Sequence, residues 1–126
     1  MDRQAVTGPE LPPPIGPYSH AVRAGGFVFV SGQPGVDPAT GDVTESFDAQ
    51  ARQAFANLAT VLRVAGSRPD LVVSTTVLVA EMADFPEMNA LFGEFFATDP
   101  PTRMTMQVPL PRGLRISIGC TAVEAS

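Results

Sequence analysis

Two adjacent prolines followed by alternating small and large residues constrain this chain more than any other stretch: Pro100-Pro101-Thr102-Arg103-Met104-Thr105-Met106-Gln107-Val108. Proline fixes φ, lacks a backbone donor and pushes the residue before it toward extended backbone. The chain therefore reaches Arg103 extended and cannot be helical there. The alternation that follows is a strand pattern, which holds the arginine on a rigid support among apolar and hydroxyl neighbours. An arginine so placed suits a two-pronged grip on a small carboxylate, because a planar guanidinium matches both carboxylate oxygens. A structural or surface ion pair, with Asp99 close by in sequence, is the plainer alternative.

Around that stretch the pattern alternates between periods of two and of 3.6. Residues 1–17 are proline-rich, with Pro12-Pro13-Pro14 at their centre, and read as a semi-rigid arm or loop; residues 1–13 form the arm proper. Tyr18 to Ala24 and Phe27 to Gln33 make a hairpin about Gly25-Gly26. The second of these strands is apolar on both faces at its start, as in a sheet covered on both sides. A loop runs from Pro34 to Thr44. A helix then starts near Ser46 or Asp48, carries the stripe Ala51, Ala54, Phe55, Leu58, Val61, Leu62 and Ala65, and stops at Gly66. Leu71 to Ala80 reads as a central strand, and a second helix spans about Phe85–Thr98 with Pro86 in its first turn. The Arg103 strand, a turn at Pro109–Gly113 and a last strand from Arg115 to Val123 complete the order ββαβαββ. This predicts a single α+β domain over 1–126, a mixed sheet with two helices packed on one face. Small residues Ser117, Gly119 and Thr121 line the other face, which needs a cover, and a closed homo-oligomer supplies one.

Composition narrows the function. A charged share of 17% is low for the surface of a monomer, in keeping with burial between copies. A net charge of −5 with scattered acids leaves no basic stripe for nucleic acid. One histidine and one cysteine, without paired-ligand spacing, make no metal site, and no glycine-rich phosphate motif is present. Cys120 has no partner for an internal disulfide and reads as an inert packing thiol. A polar start and the lack of any membrane-length apolar run lead to the expectation of a cytoplasmic protein without membrane contact. His20 reads as a satisfied or exposed strand residue rather than a triad member. Tyr18, Ser31, Gly32 and Asn89 interrupt otherwise apolar surroundings. Each has an ordinary role at a core rim, a bend or a solvated face, yet together with Arg103 they are able to line one pocket.

These motifs resemble the RidA (YjgF-like) enamine/imine deaminases. Ile15-Gly16-Pro17-Tyr18-Ser19-His20-Ala21 is similar to the family's opening signature, which usually has glutamine where this chain has His20. Phe27 to Gln33 resembles its second strand, Asp84-Phe85 through Met88-Asn89 to Phe95-Phe96 its second helix, and Pro101-Thr102-Arg103 its proline-x-arginine segment. The resemblance, from about Pro14 to Val123, implies a chorismate-mutase-like fold and a homotrimer with three clefts between subunits. It implies that Arg103 binds the carboxylate of a 2-imino acid, with Tyr18 and Asn89 shaping the pocket and Ser31, Gly32 and Thr105 around the ligand. It further implies cofactor-free addition of water to the C=N carbon, giving a 2-oxo acid and ammonia and disarming reactive intermediates. Thr105 stands where cysteine is frequent. Ser117 stands where deaminating members carry a glutamate, and its hydroxyl is able to position water without taking its proton. Three functions stay open: a weakened or redirected imine hydrolase, a trimeric binder of small carboxylates without turnover, and a deaminase of a larger unsaturated amino acid.

Overall fold

A computed structural model describes residues 2–126. Its order is β1 (Arg3–Ala5), β2 (Ala21–Ala24), β3 (Phe27–Pro34), α1 (Phe47–Val64), β4 (Val72–Val79), α2 (Phe85–Phe95), β5 (Thr102–Gln107) and β6 (Ile116–Val123). The strands form one six-stranded sheet in the order β1-β2-β3-β6-β4-β5. Every pairing is antiparallel except β4 with β5, which α2 connects as a crossover. Mixed pairing and two packed helices are the predicted α+β architecture.

The core lies between the sheet and the helices. On β6, Ile116, Ile118, Cys120 and Ala122 are buried and alternate with half-buried Ser117, Gly119 and Thr121. On β4, Val72, Thr75, Val77 and Val79 are buried; an irregularity between Val72 and Ser74 resets the alternation so that Thr75 points inward. Ser46 caps α1, its hydroxyl accepting from the Ala49 amide at 3.3 Å, and the stripe from Phe47 to Leu62 is buried. Gly66, at φ +86°, takes the left-handed turn that ends the helix. Gln50 is wholly buried in α1. Its amide donates to the carbonyls of Thr44 at 2.7 Å and Gly113 at 3.0 Å, and its oxygen accepts from the Arg115 amide at 2.8 Å. Arg115 in turn donates to the buried Asp84 carboxylate at 2.8 Å, tying the start of β6 to that of α2.

Two expectations change. The arm is not structureless throughout: Arg3–Ala5 adds an edge strand, making the order βββαβαββ. All three residues are exposed, so backbone pairing and Val6, buried just after them, hold the strand rather than any apolar alternation. Helix α2 ends at Phe95 rather than near Thr98. The chain needs the residues before Pro100-Pro101 to turn extended, and Asp99 sits at φ +46° in that turn. As expected, the helices cover one face of the sheet only, and within a single chain the other face leaves Phe27 and Phe29 at 43% and 46% exposure.

Candidate functional site

Arg103 lies on β5, an outer strand, in register with Thr75. Thr75 is buried, so the arginine leaves the sheet on the helix-covered side, while Met104 and Met106 on the opposite side are exposed. Its guanidinium carbon is 4.8 Å from the Phe92 ring centre and 5.5 Å from that of Phe85, and Nη1 is 3.9 Å from the Met88 sulfur. Among the described residues no carboxylate pairs with it; the ion pairs employ Arg52, Arg63, Arg68 and Arg115. Asp99, adjacent in sequence, makes no pair. The half-buried cation is thus oriented by aromatic faces, with its charge uncommitted.

Two other expected residues join it. Asn89 is exposed on α2 and stands between Phe85 and Phe92 at helical spacings of four and three, so it shares the face that carries the guanidinium. Thr105 follows two residues after Arg103 on the same side of β5, and its hydroxyl oxygen is buried without a hydrogen-bond partner. A buried hydroxyl left unpaired in a folded chain calls for a partner from elsewhere.

Tyr18, Ser31, Gly32 and Ser117 gather in a second place. The pairing of β3 with β6 is irregular between Val30 and Gln33, and this bulge carries Ser31 and Gly32. The Ser31 hydroxyl donates to the Ser19 carbonyl at 2.6 Å, fixing the segment beside Tyr18. A Cβ on Gly32 would fall 2.5 Å from the Ser117 oxygen, so that hydroxyl occupies the space only glycine leaves free. Tyr18, 44% exposed, stands edge-on to His20. His20 is satisfied, with Nε2 2.8 Å from the Pro12 carbonyl and Nδ1 3.3 Å from the Gln33 amide nitrogen, and it pins the arm to β3.

Within one chain the candidate residues do not line a single pocket. Strands β5 and β3 are separated by β4 and β6, about 14 Å at the usual strand spacing. One chain holds them in two separate groups: Arg103, Asn89 and Thr105 in one, and Tyr18, Ser31, Gly32 and Ser117 in the other. The aromatic bed of Arg103 was the part hidden in the sequence. In the sequence Met88 and Phe92 fit the buried stripe of that helix and Phe85 merely begins it, and only the spacing of Phe85 and Phe92 about Asn89 marks a shared face. Burial pushes the Cys120 thiol up to about 12, which leaves it a neutral packing group. Among the described residues no cluster of His, Cys, Asp and Glu is arranged to hold a metal, and no helix is long and apolar enough to cross a membrane.

A family model described as Endoribonuclease L-PSP matches residues 9–124. The mouse protein named 2-iminobutanoate/2-iminopropanoate deaminase is 40% identical over 97% of this chain and 92% of its own length. Reactive Intermediate Deaminase A of Arabidopsis thaliana chloroplasts is 37% identical over 97% of this chain, which spans 66% of that longer protein. Among solved structures, RidA from the Antarctic bacterium Psychrobacter sp. PAMC 21119 superposes with a TM-score of 0.90 at 34% identity, covering 95% of this chain and 98% of that one. With matching motifs, fold and length of alignment, the chain belongs to the RidA (YjgF-like) family, the family described as Endoribonuclease L-PSP.

Proposed function

We propose that this protein binds small 2-imino and 2-oxo carboxylates in clefts between three identical copies and hydrolyses the imino acids to 2-oxo acids and ammonia. The observation that carries this reading is Arg103, a half-buried guanidinium held by Phe92 and Phe85 with no acid of its own among the described residues. A carboxylate supplies the missing anion, and the unpaired Thr105 hydroxyl gains a partner from the same ligand. The mouse and human relatives named 2-iminobutanoate/2-iminopropanoate deaminase agree in chemistry. The net charge of −5 counts against RNA, which the family description would suggest.

The two groups of residues, as half-sites, need a second copy of the chain to complete each other. The uncovered sheet face, with Phe27, Phe29, Met104 and Met106 exposed, is a surface for such packing. In the cleft, water adds to the C2 carbon of the protonated imine and one of its two protons passes to nitrogen. As the C–N bond breaks, the oxygen's remaining proton leaves to solvent, giving the 2-oxo acid and ammonia; near neutral pH the ammonia takes up that proton as ammonium. No cofactor is required, because the protonated imine is already electrophilic. Ser117 is able to orient that water but not to hold its proton near neutral pH. Absence of a positioned acid or base typically lowers such a rate by about 10²–10⁴. Ser117 therefore favours a second reading, a trimeric carboxylate-binding protein without turnover.

Pyruvate release from 2-aminoacrylate, generated in place by a serine dehydratase, separates the two. Acceleration over the uncatalysed rate supports hydrolysis; binding of 2-oxo acids without acceleration supports the binder. Charge-assisted hydrogen bonds contribute about 1.5–3 kcal/mol each, so Arg103→Ala is expected to lower either activity at least tenfold, to about the level of background. An Arg103→Ala protein as active as the parent would place the site elsewhere.

A further inference from the structure

A cavity of about 300 Å³ lies between the proline arm and α1, and Tyr18 and Gly32 of the second group stand in its lining. Arg103 takes no part in it. Leu11, Ile15, Val36, Val61 and Leu114 supply its apolar wall. Its size is at the small end of ligand pockets.

Most of the polar groups in the wall already have partners. Asn57 donates to the carbonyls of Pro34 at 2.9 Å and Val36 at 2.8 Å and accepts from Gln53 at 2.8 Å. Asp37 accepts from the Ala39 amide at 2.8 Å and the Thr40 amide at 3.2 Å. Both ring nitrogens of His20 are engaged with Pro12 and Gln33. Arg112 lies at an exposed position, where water solvates it. A polar or charged substituent placed inside would therefore lose its hydration for few partners along a mainly apolar wall, whereas an apolar one would lose nothing. The roof is held in place: besides the His20 link to Pro12, Glu10 of the arm pairs with Arg63 of α1.

We infer that this cavity receives the side chain of the substrate, and that the protein selects 2-imino and 2-oxo acids with branched or aromatic apolar side chains over the smallest ones. The inference rests on the carboxylate-binding reading above. Tyr18 and Gly32 belong both to the group beside Ser117 and to the cavity lining, so an acid clasped by Arg103 of an adjacent copy, with its C2 carbon beside these two residues, has this apolar space next to its side chain.

Calorimetric titration of the intact protein with pyruvate and with 4-methyl-2-oxopentanoate tests this without relying on turnover. A methylene in a fitted apolar pocket is worth about tenfold or more in discrimination, so the branched acid is expected to bind at least about tenfold more tightly. Val36→Phe, on a half-buried loop, fills the cavity and is expected to bring the ratio of the two affinities toward one. Ile15→Asp is expected to do the same; Ile15 is 69% exposed, so this variant leaves the core intact if the first fails to fold. Equal affinity for the two acids in the parent, or a preference unchanged in the variants, would overturn the cavity assignment alone. Failure of both acids to bind the parent would overturn the carboxylate site as well.

Discussion

Arg103 shows how a side chain is oriented without being neutralised. Stacking on Phe92 at 4.8 Å and Phe85 at 5.5 Å fixes the plane of the guanidinium, while an internal acid would have consumed its charge. Thr105 tells the same story from the opposite direction. Its buried hydroxyl has no partner, and a polar group in that state costs roughly 1–3 kcal/mol relative to one that is satisfied. Thr105→Val keeps the shape and removes the hydroxyl, so the free protein is expected to be as stable or more stable by up to about 2 kcal/mol. Affinity for a 2-oxo acid is expected to fall by about threefold to tenfold, the worth of one ordinary hydrogen bond. Thermal melts with and without pyruvate measure both effects. Marked destabilisation with an unchanged ligand response would assign Thr105 to packing. At this scale the sequence was informative: the prolines and the alternation located Arg103 and Thr105 on one strand. What they touch was not legible, because Phe85 and Phe92 reach the guanidinium only after α2 folds back over β5.

Among the elements, α1 was the most legible, since its cap at Ser46, its stripe and its stop at Gly66 are all local. The bulges in β3 and β4 were not, because a register shift depends on the neighbouring strand rather than on the bulged sequence. Strand β1 escaped notice for a related reason: three exposed residues carry no apolar signal, and backbone pairing with β2 alone defines them. Gln50 is the joint between elements, uniting α1 with Thr44, Gly113 and the start of β6. Gln50→Leu would remove the shared partner of the Thr44 and Gly113 carbonyls and the Arg115 amide, three hydrogen bonds together worth about 3 kcal/mol. Urea unfolding checks this, and a loss below about 1 kcal/mol would mean that the joint contributes little beyond its hydrocarbon packing.

At the scale of the molecule, the uncovered sheet face and the two groups of candidate residues point the same way. Phe29 is 46% exposed near the middle of that face, flanked by Val22 on β2 and Thr121 on β6. Phe29→Glu places a charge where a packed interface would strip its water, and an unpaired buried charge costs several kcal/mol. Light scattering is expected to report a mass near three chains for the parent and near one for the variant. Helical circular dichroism should persist while 2-oxo-acid binding disappears. A variant with the parent's mass would show that copies do not meet through this face.

By itself the sequence determined the helices, the main strands, the family and the identity of the residues with uncommitted chemistry, because those signals are carried by local periodicity, punctuation and motif. The tertiary structure alone decided that Arg103 lies on aromatic rings, that Ser117 fills the gap above Gly32, and that the candidate residues fall into two groups across the sheet. The reason is physical: strand order and register are settled by contacts between residues far apart in the chain, and the separation of β3 from β5 by two intervening strands is a property of those contacts, not of either strand.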